Sequence, residues 1–140
     1  MNLKKIAAVS GKSGLFRVVQ PTRNGVVLES LDDKKTKLIA TMSHKVSILS
    51  EISMYTTDSE GAVNLAKVMD FVKEKHGTKA VVNVNDNKAL ATFMEGVLPT
   101  YDKGRVYASD IKKLVTWFNI ISEFATDLVE APDEEEEEQA

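Results

Sequence analysis

The chain has 140 residues, is 43% hydrophobic and 28% charged, and carries 18 Lys and Arg, 21 Asp and Glu, and no cysteine. A chain of this size buries enough surface to fold without disulfide or metal staples, and lack of cysteine excludes zinc ribbons, thiol catalysis and cysteine-ligated iron–sulfur clusters. The net charge of -3 hides a gradient: residues 1 to 54 hold nine basic and four acidic side chains, residues 55 to 132 nine and eleven, and residues 133 to 140 six acids.

The start, Met1-Asn2-Leu3-Lys4-Lys5-Ile6-Ala7-Ala8-Val9, imitates an export signal because lysines precede a small apolar run. That run ends at Val9, short of the roughly 7 to 15 residues an export core needs, and no stretch approaches the roughly 18 apolar residues of a membrane span. The expectation is a cytoplasmic protein without membrane association.

Residues 1 to 56 read as strands, short β-branched runs punctuated by Gly, Pro, Asn and Asp. The runs are Lys5 to Val9, Leu15 to Gln20, Gly25 to Leu31, Thr36 to Met42, and a last pair of pieces, Lys45 to Ile48 and Ile52 to Tyr55. Gly11-Lys12-Ser13-Gly14, Pro21 to Gly25 and Leu31 to Lys35 fit hairpin turns. In the fourth run Thr36, Leu38, Ala40 and Met42 share one face, and Ile39 interrupts the polar one. Leu49-Ser50-Glu51 fits a helical turn leading from a fourth to a fifth strand, as in SH3-like small barrels, and a closed barrel also removes exposed sheet edges.

From residue 57 the apolar period changes to that of a helix. Leu65, Val68, Met69 and Val72 define a first helix with Thr57 or Ser59 as N-cap and Gly77 as C-cap. Leu90, Phe93, Met94 and Val97 define a second, begun by Asp86 and ended before Pro99. Ile111, Leu114, Val115, Phe118 and Ile121 define a third after Ser109, widened by Trp117, Ile120 and Phe124 into a stripe that needs burial on more than one side. Ala80 to Val84 is β-prone without an obvious partner, and reads as a short strand or an extended connector. The acidic run Asp133 to Glu138 reads as disordered, since like charges repel and nothing there is apolar.

Three segments, Val9 to Phe16, Val27 to Lys35 and Arg105 to Lys113, resemble a domain-of-unknown-function family of small Bacteroidetes proteins. The similarity spans nearly the whole chain, including the acidic C-terminal run. Family members usually have Pro in place of Ser13 and Tyr in place of Phe16. The resemblance implies a small cytoplasmic protein with an N-terminal β domain and a C-terminal helical domain, and brings no activity with it. Val9 to Val18 also resembles the KOW-type loop of RNA- and ribosome-binding SH3-like barrels, but lacks that pattern's glycine near Arg17.

Gly11-Lys12-Ser13 imitates the end of a phosphate-binding loop. That motif needs glycine where Ile6 stands and a helix where Leu15 to Val19 is strand-like, so the segment reads as a hairpin turn. His44 and His76 have no second histidine at ligand spacing. Asp32 with Asp33, and Asp58 with Glu60, sit where carboxylates cap turns and helices. No catalytic residue, metal or cofactor is therefore assigned.

Two regions suit binding. The N-terminal cations, including Lys12, Arg17, Arg23, Lys35 and Lys37, form a basic face of the kind that counterion release exploits. The loop from Tyr101 to Tyr107 carries Arg105 and two tyrosines, which offer contact area with a polar end. The expected architecture is α+β: an SH3-like β-barrel at residues 1–56, a three-helix domain at 57–130 and a disordered acidic tail at 131–140. The expected function is a non-enzymatic interaction or adaptor module with a protein partner or a second copy of itself. The alternative is RNA or DNA binding by the barrel's basic face.

Overall fold

The computed structural model describes residues 1–12, 14–41 and 43–129. Ser13, Met42 and the tail expected to be disordered lie outside the described residues.

Five β-rich runs form one antiparallel sheet: β1 (Ile6–Val9), β2 (Phe16–Thr22), β3 (Gly25–Ser30), β4 (Lys37–Thr41) and β5 (Val46–Ile48). Their order is β4-β3-β2-β1-β5. The expected barrel closure is not seen: β4 and β5 are the sheet's two edges and do not pair with each other. Alternation in β4 follows the pleat, with Ala40 buried and Ile39, opposite Val27, 58% exposed. Gly25 is required where β3 meets β4, because a Cβ there would lie 1.9 Å from the Ala40 carbonyl oxygen. One side of the sheet carries a small core of Val9, Phe16, Leu28 and Ala40.

The helical turn falls at Leu49–Glu51, as its sequence suggests, but it follows the fifth strand instead of preceding it. Val46 to Ile48 already pairs with β1, so the next run, β6 (Ser53–Tyr55), leaves the sheet and forms a hairpin with β7 (Ala62–Asn64). Asp58 shapes that turn by accepting from Thr56 Oγ1 at 2.8 Å and the Glu60 amide at 3.1 Å. This hairpin corrects the first helix start. Residues expected to cap it, Thr57 and Ser59, belong to the hairpin turn, and Asn64 caps α1 (Leu65–His76) by accepting from the Ala66 amide at 2.9 Å.

Gly77, at φ 75°, ends α1 in the left-handed region that glycine tolerates. Asp86 caps α2 (Asn87–Val97) through the Lys88 and Ala89 amides. α3 (Ala108–Phe124) begins one residue before Ser109, and the Asp110 carboxylate accepts from the Tyr107 amide at 2.9 Å. A short α4 (Thr126–Val129) follows. Ala80 to Val84 is a connector, not a strand.

The principal core joins both halves of the chain. Phe118, Ile121 and Leu114 of α3 meet Val68, Met69 and Val72 of α1, together with Met1, Leu3, Ile6 and Leu49 from the N-terminal half. Trp117, Ile120 and Phe124 pack against the same core, which accounts for the wide stripe on α3. No helix among the described residues is long and apolar enough to cross a membrane.

Candidate functional site

A cleft of about 600 Å³ opens where the sheet meets the start of α3. Its walls come from the end of β1 and the turn after it, from β5 and β6, and from one face of α3. Val9, Met54, Leu65, Val106 and Leu114, all buried, supply apolar lining. Lys12, Lys45, Arg105 and Lys113 bring four cations to the same cleft, and Asp110 the one carboxylate.

Local chemistry explains each position. Gly11, at φ 83°, turns the chain after β1, and the Lys12 amide donates to the Val9 carbonyl at 3.0 Å. The Ser10 amide donates to the Lys45 carbonyl at 2.9 Å, which brings the entry to β5 beside that turn. On α3, Asp110, Lys113, Leu114 and Trp117 lie at helical spacings of three and four, so they share a face. The loop before α3 is tied to β6: Thr56 and Tyr101 form a β-bridge, and the Asp102 amide donates to the Tyr55 carbonyl at 2.9 Å. That tie sets the Arg105 guanidinium 3.8 Å from the centroid of the Tyr55 ring, a cation–π contact on a half-exposed tyrosine. The side chains of Lys12, Lys45 and Lys113 have no ion pair among the described residues, and one oxygen of the Asp110 carboxylate accepts from the Tyr107 amide.

Of the residues singled out from the sequence, Lys12 and Arg105 converge on this cleft. The others do not. Arg17 forms a two-point ion pair with Asp127 at 3.0 and 3.2 Å, a bond that raises the guanidinium pKa and lowers that of the carboxyl. Lys37 pairs with Glu29 at 2.7 Å, and this bond lowers the Glu29 pKa. Arg23 and Lys35 are exposed at the β2–β3 and β3–β4 turns. Tyr101 is a core residue, 6% exposed, because the bridge to Thr56 turns its segment inward, so it offers no outer surface. Tyr107 is 65% exposed at the start of α3 but does not line the cleft.

Lys113, Tyr55 and Trp117, not assigned to a binding surface from the sequence, complete the cleft together with Lys45, one of the N-terminal cations read as a basic face. On α3 the signal was that Lys113 sits between Asp110 and Trp117 at helical spacing. His44 holds the β4–β5 connection, accepting from the Thr41 amide at 3.1 Å, and His76 lies 5.0 Å from the Phe93 ring. Asp32 accepts from Ser30 Oγ and the Lys34 and Lys35 amides, which together hold its carboxyl below the ordinary range. Among the described residues no group of three His, Cys, Asp or Glu side chains is placed to hold a metal ion.

The sequence profile of the Domain of unknown function (DUF6852) matches residues 52–121, and that of the Domain of unknown function (DUF5606) matches residues 3–49. A solution NMR structure from Bacteroides vulgatus, structural-genomics target BvR159, is 35% identical to this chain, covers 89% of it and 88% of its own length, and superposes with a TM-score of 0.72. No curated protein matches. The fold and the cleft thus define a mixed α+β protein. The chain belongs to the family of Domain of unknown function (DUF6852), with the Domain of unknown function (DUF5606) preceding it. The two profiles meet at the helical turn after β5, and the cleft takes its lining from both matched segments.

Proposed function

We propose that this protein is a non-enzymatic interaction module whose contact surface is the cationic cleft, and that it recognises an acidic segment of a protein partner. The observation that carries this reading is the convergence of Lys12, Lys45, Arg105 and Lys113 on one cleft that also holds Tyr55 and Trp117. Cations answer carboxylates, and aromatic rings give contact area at low entropic cost. The cleft's volume falls within the roughly 300–1,000 Å³ usual for binding pockets. We read the sheet as SH3-like, because a meander whose fifth strand returns beside the first, around a small internal core, has that strand order. The activity is assigned to the cytoplasm.

Nucleic acid is the other anionic ligand to weigh. Arg17 and Lys37, two cations of the proposed basic face, are neutralised by Asp127 and Glu29, which interrupts a track for phosphates and favours the cleft over the sheet surface. Titration of the full chain, followed by amide NMR shifts and Trp117 fluorescence at low salt, separates the two. An acidic peptide taken to millimolar concentration is expected to move Lys12, Lys45, Arg105 and Lys113. Tight single- or double-stranded nucleic-acid binding on those residues, with no response to the peptide, overturns the proposal.

A further inference from the structure

We infer that the acidic segment of this same chain, Asp133 to Glu138, is an internal occupant of the cationic cleft and competes there with acidic partners. This rests on reading the cleft as a surface for acidic segments, and adds a regulator to it.

α4 is held against the N-terminal half, since the Asn2 amide donates to the Leu128 carbonyl at 3.1 Å and Asp127 pairs with Arg17. Arg17 stands opposite Ile6 in the β1–β2 register, and the cleft lining begins at Ala8, two residues further along β1. That step is about 7 Å at the rise of a strand. On α3, Phe124 at the exit lies seven residues from Trp117 in the cleft, about 10 Å at the rise of a helix. Both steps are of the same order as the length of chain beyond Val129, the last described residue.

Four residues carry the chain from Val129 to Asp133, and nine carry it to Glu138. Extended, these span about 13 and 30 Å. The acids are thus tethered with a reach comparable to those two steps. Their charge complements the lining, in which Lys12, Lys45 and Lys113 have no ion pair among the described residues. A short tether holds its segment at an effective concentration on the order of 1 mM. A segment that binds at about 0.1 mM when free would then weaken an acidic competitor about tenfold.

The test compares three full-length proteins: the native chain, a tail-neutral variant (Asp133→Asn with Glu134→Gln, Glu135→Gln, Glu136→Gln, Glu137→Gln and Glu138→Gln), and the tail-neutral variant also carrying Lys45→Glu and Lys113→Glu. The probe is the synthetic peptide Asp-Glu-Glu-Glu-Glu-Glu, followed by Trp117 fluorescence and amide NMR shifts at low salt. The expected result is binding about tenfold tighter to the tail-neutral chain than to the native one, lost with the lysine replacements. Native and tail-neutral spectra should also differ at Lys12, Lys45, Arg105 and Lys113 without any peptide. Equal affinity for the native and tail-neutral chains overturns the internal occupant but leaves the cleft as an acid-binding surface. Absence of binding to either overturns both. Native shifts that depend on protein concentration, with a dimeric mass by light scattering, would place the tail in a second copy and overturn the internal arrangement.

Discussion

The Asn119 carboxamide brackets the peptide groups of Ala80, accepting from its amide at 2.8 Å and donating to its carbonyl at 2.9 Å. Through this pair α3 supplies Ala80, the first residue of the β-prone run 80 to 84, with the two hydrogen bonds a neighbouring strand would otherwise give. Ala80 itself is 2% exposed, so its polar groups have little access to water.

Asn119→Ala removes both bonds and leaves a buried amide and carbonyl unpaired. The expected cost is about 2–3 kcal/mol. Urea unfolding measures it, and hydrogen exchange at the Ala80 amide should accelerate more than exchange in the sheet.

The shared core predicts that the two halves unfold as one cooperative unit. Leu3, 1% exposed, lies in the same cluster as Phe118 and Met69, so Leu3→Ala should destabilise the helices as well as the sheet, by about 2–4 kcal/mol. Denaturation followed by Trp117 fluorescence and by far-ultraviolet circular dichroism should give coincident transitions in native and variant chains. Separate transitions would show that the halves unfold independently.

At Gly25 the constraint is steric. Gly25→Ala puts a methyl group against the backbone of β4, and that strand must shift or detach. A loss of about 2–4 kcal/mol is expected, with exchange protection lost first from Val26 to Ser30 and from Lys37 to Thr41.

The Arg17–Asp127 pair predicts an acid dependence. The bond to Arg17 holds the Asp127 pKa below its ordinary value, so ionised Asp127 favours the folded chain above the usual aspartate range near pH 4. That contribution declines as pH falls through the lowered folded value. Because the pair is substantially exposed, its worth is about 1 kcal/mol or less. Thermal unfolding of the native chain and of Asp127→Asn should differ at pH 7 and converge as pH falls below the ordinary aspartate range.

Signals that act over one turn were readable from the chain. Asp86 caps α2, Gly77 ends α1, and α2 stops before Pro99, because each is decided by a side chain or a φ preference within a few residues. The apolar periods of α1, α2 and α3 were equally direct. The start of α1 was not, since Thr57, Ser59 and Asn64 are all acceptable caps by type. Pairing of Ser53–Tyr55 with Ala62–Asn64 made the choice. Likewise, nothing local sends the run after Glu51 away from the sheet; β5 had already taken the free side of β1.

The cleft shows the same division. Sequence alone determined that the first 54 residues are basic, that α3 carries an amphipathic stripe and that six acids follow residue 132, since charge and periodicity are properties of residue type and order. Tertiary structure decided which cations meet. Lys45 and Lys113 line one cleft although distant in the chain, Arg17 and Lys37 are neutralised by acids brought from α4 and β3, and Tyr101 is turned into the core. Convergence of this kind depends on how sheet and helices pack around Leu3, Ile6 and Phe118, and packing is settled by the whole core at once rather than by any segment within it.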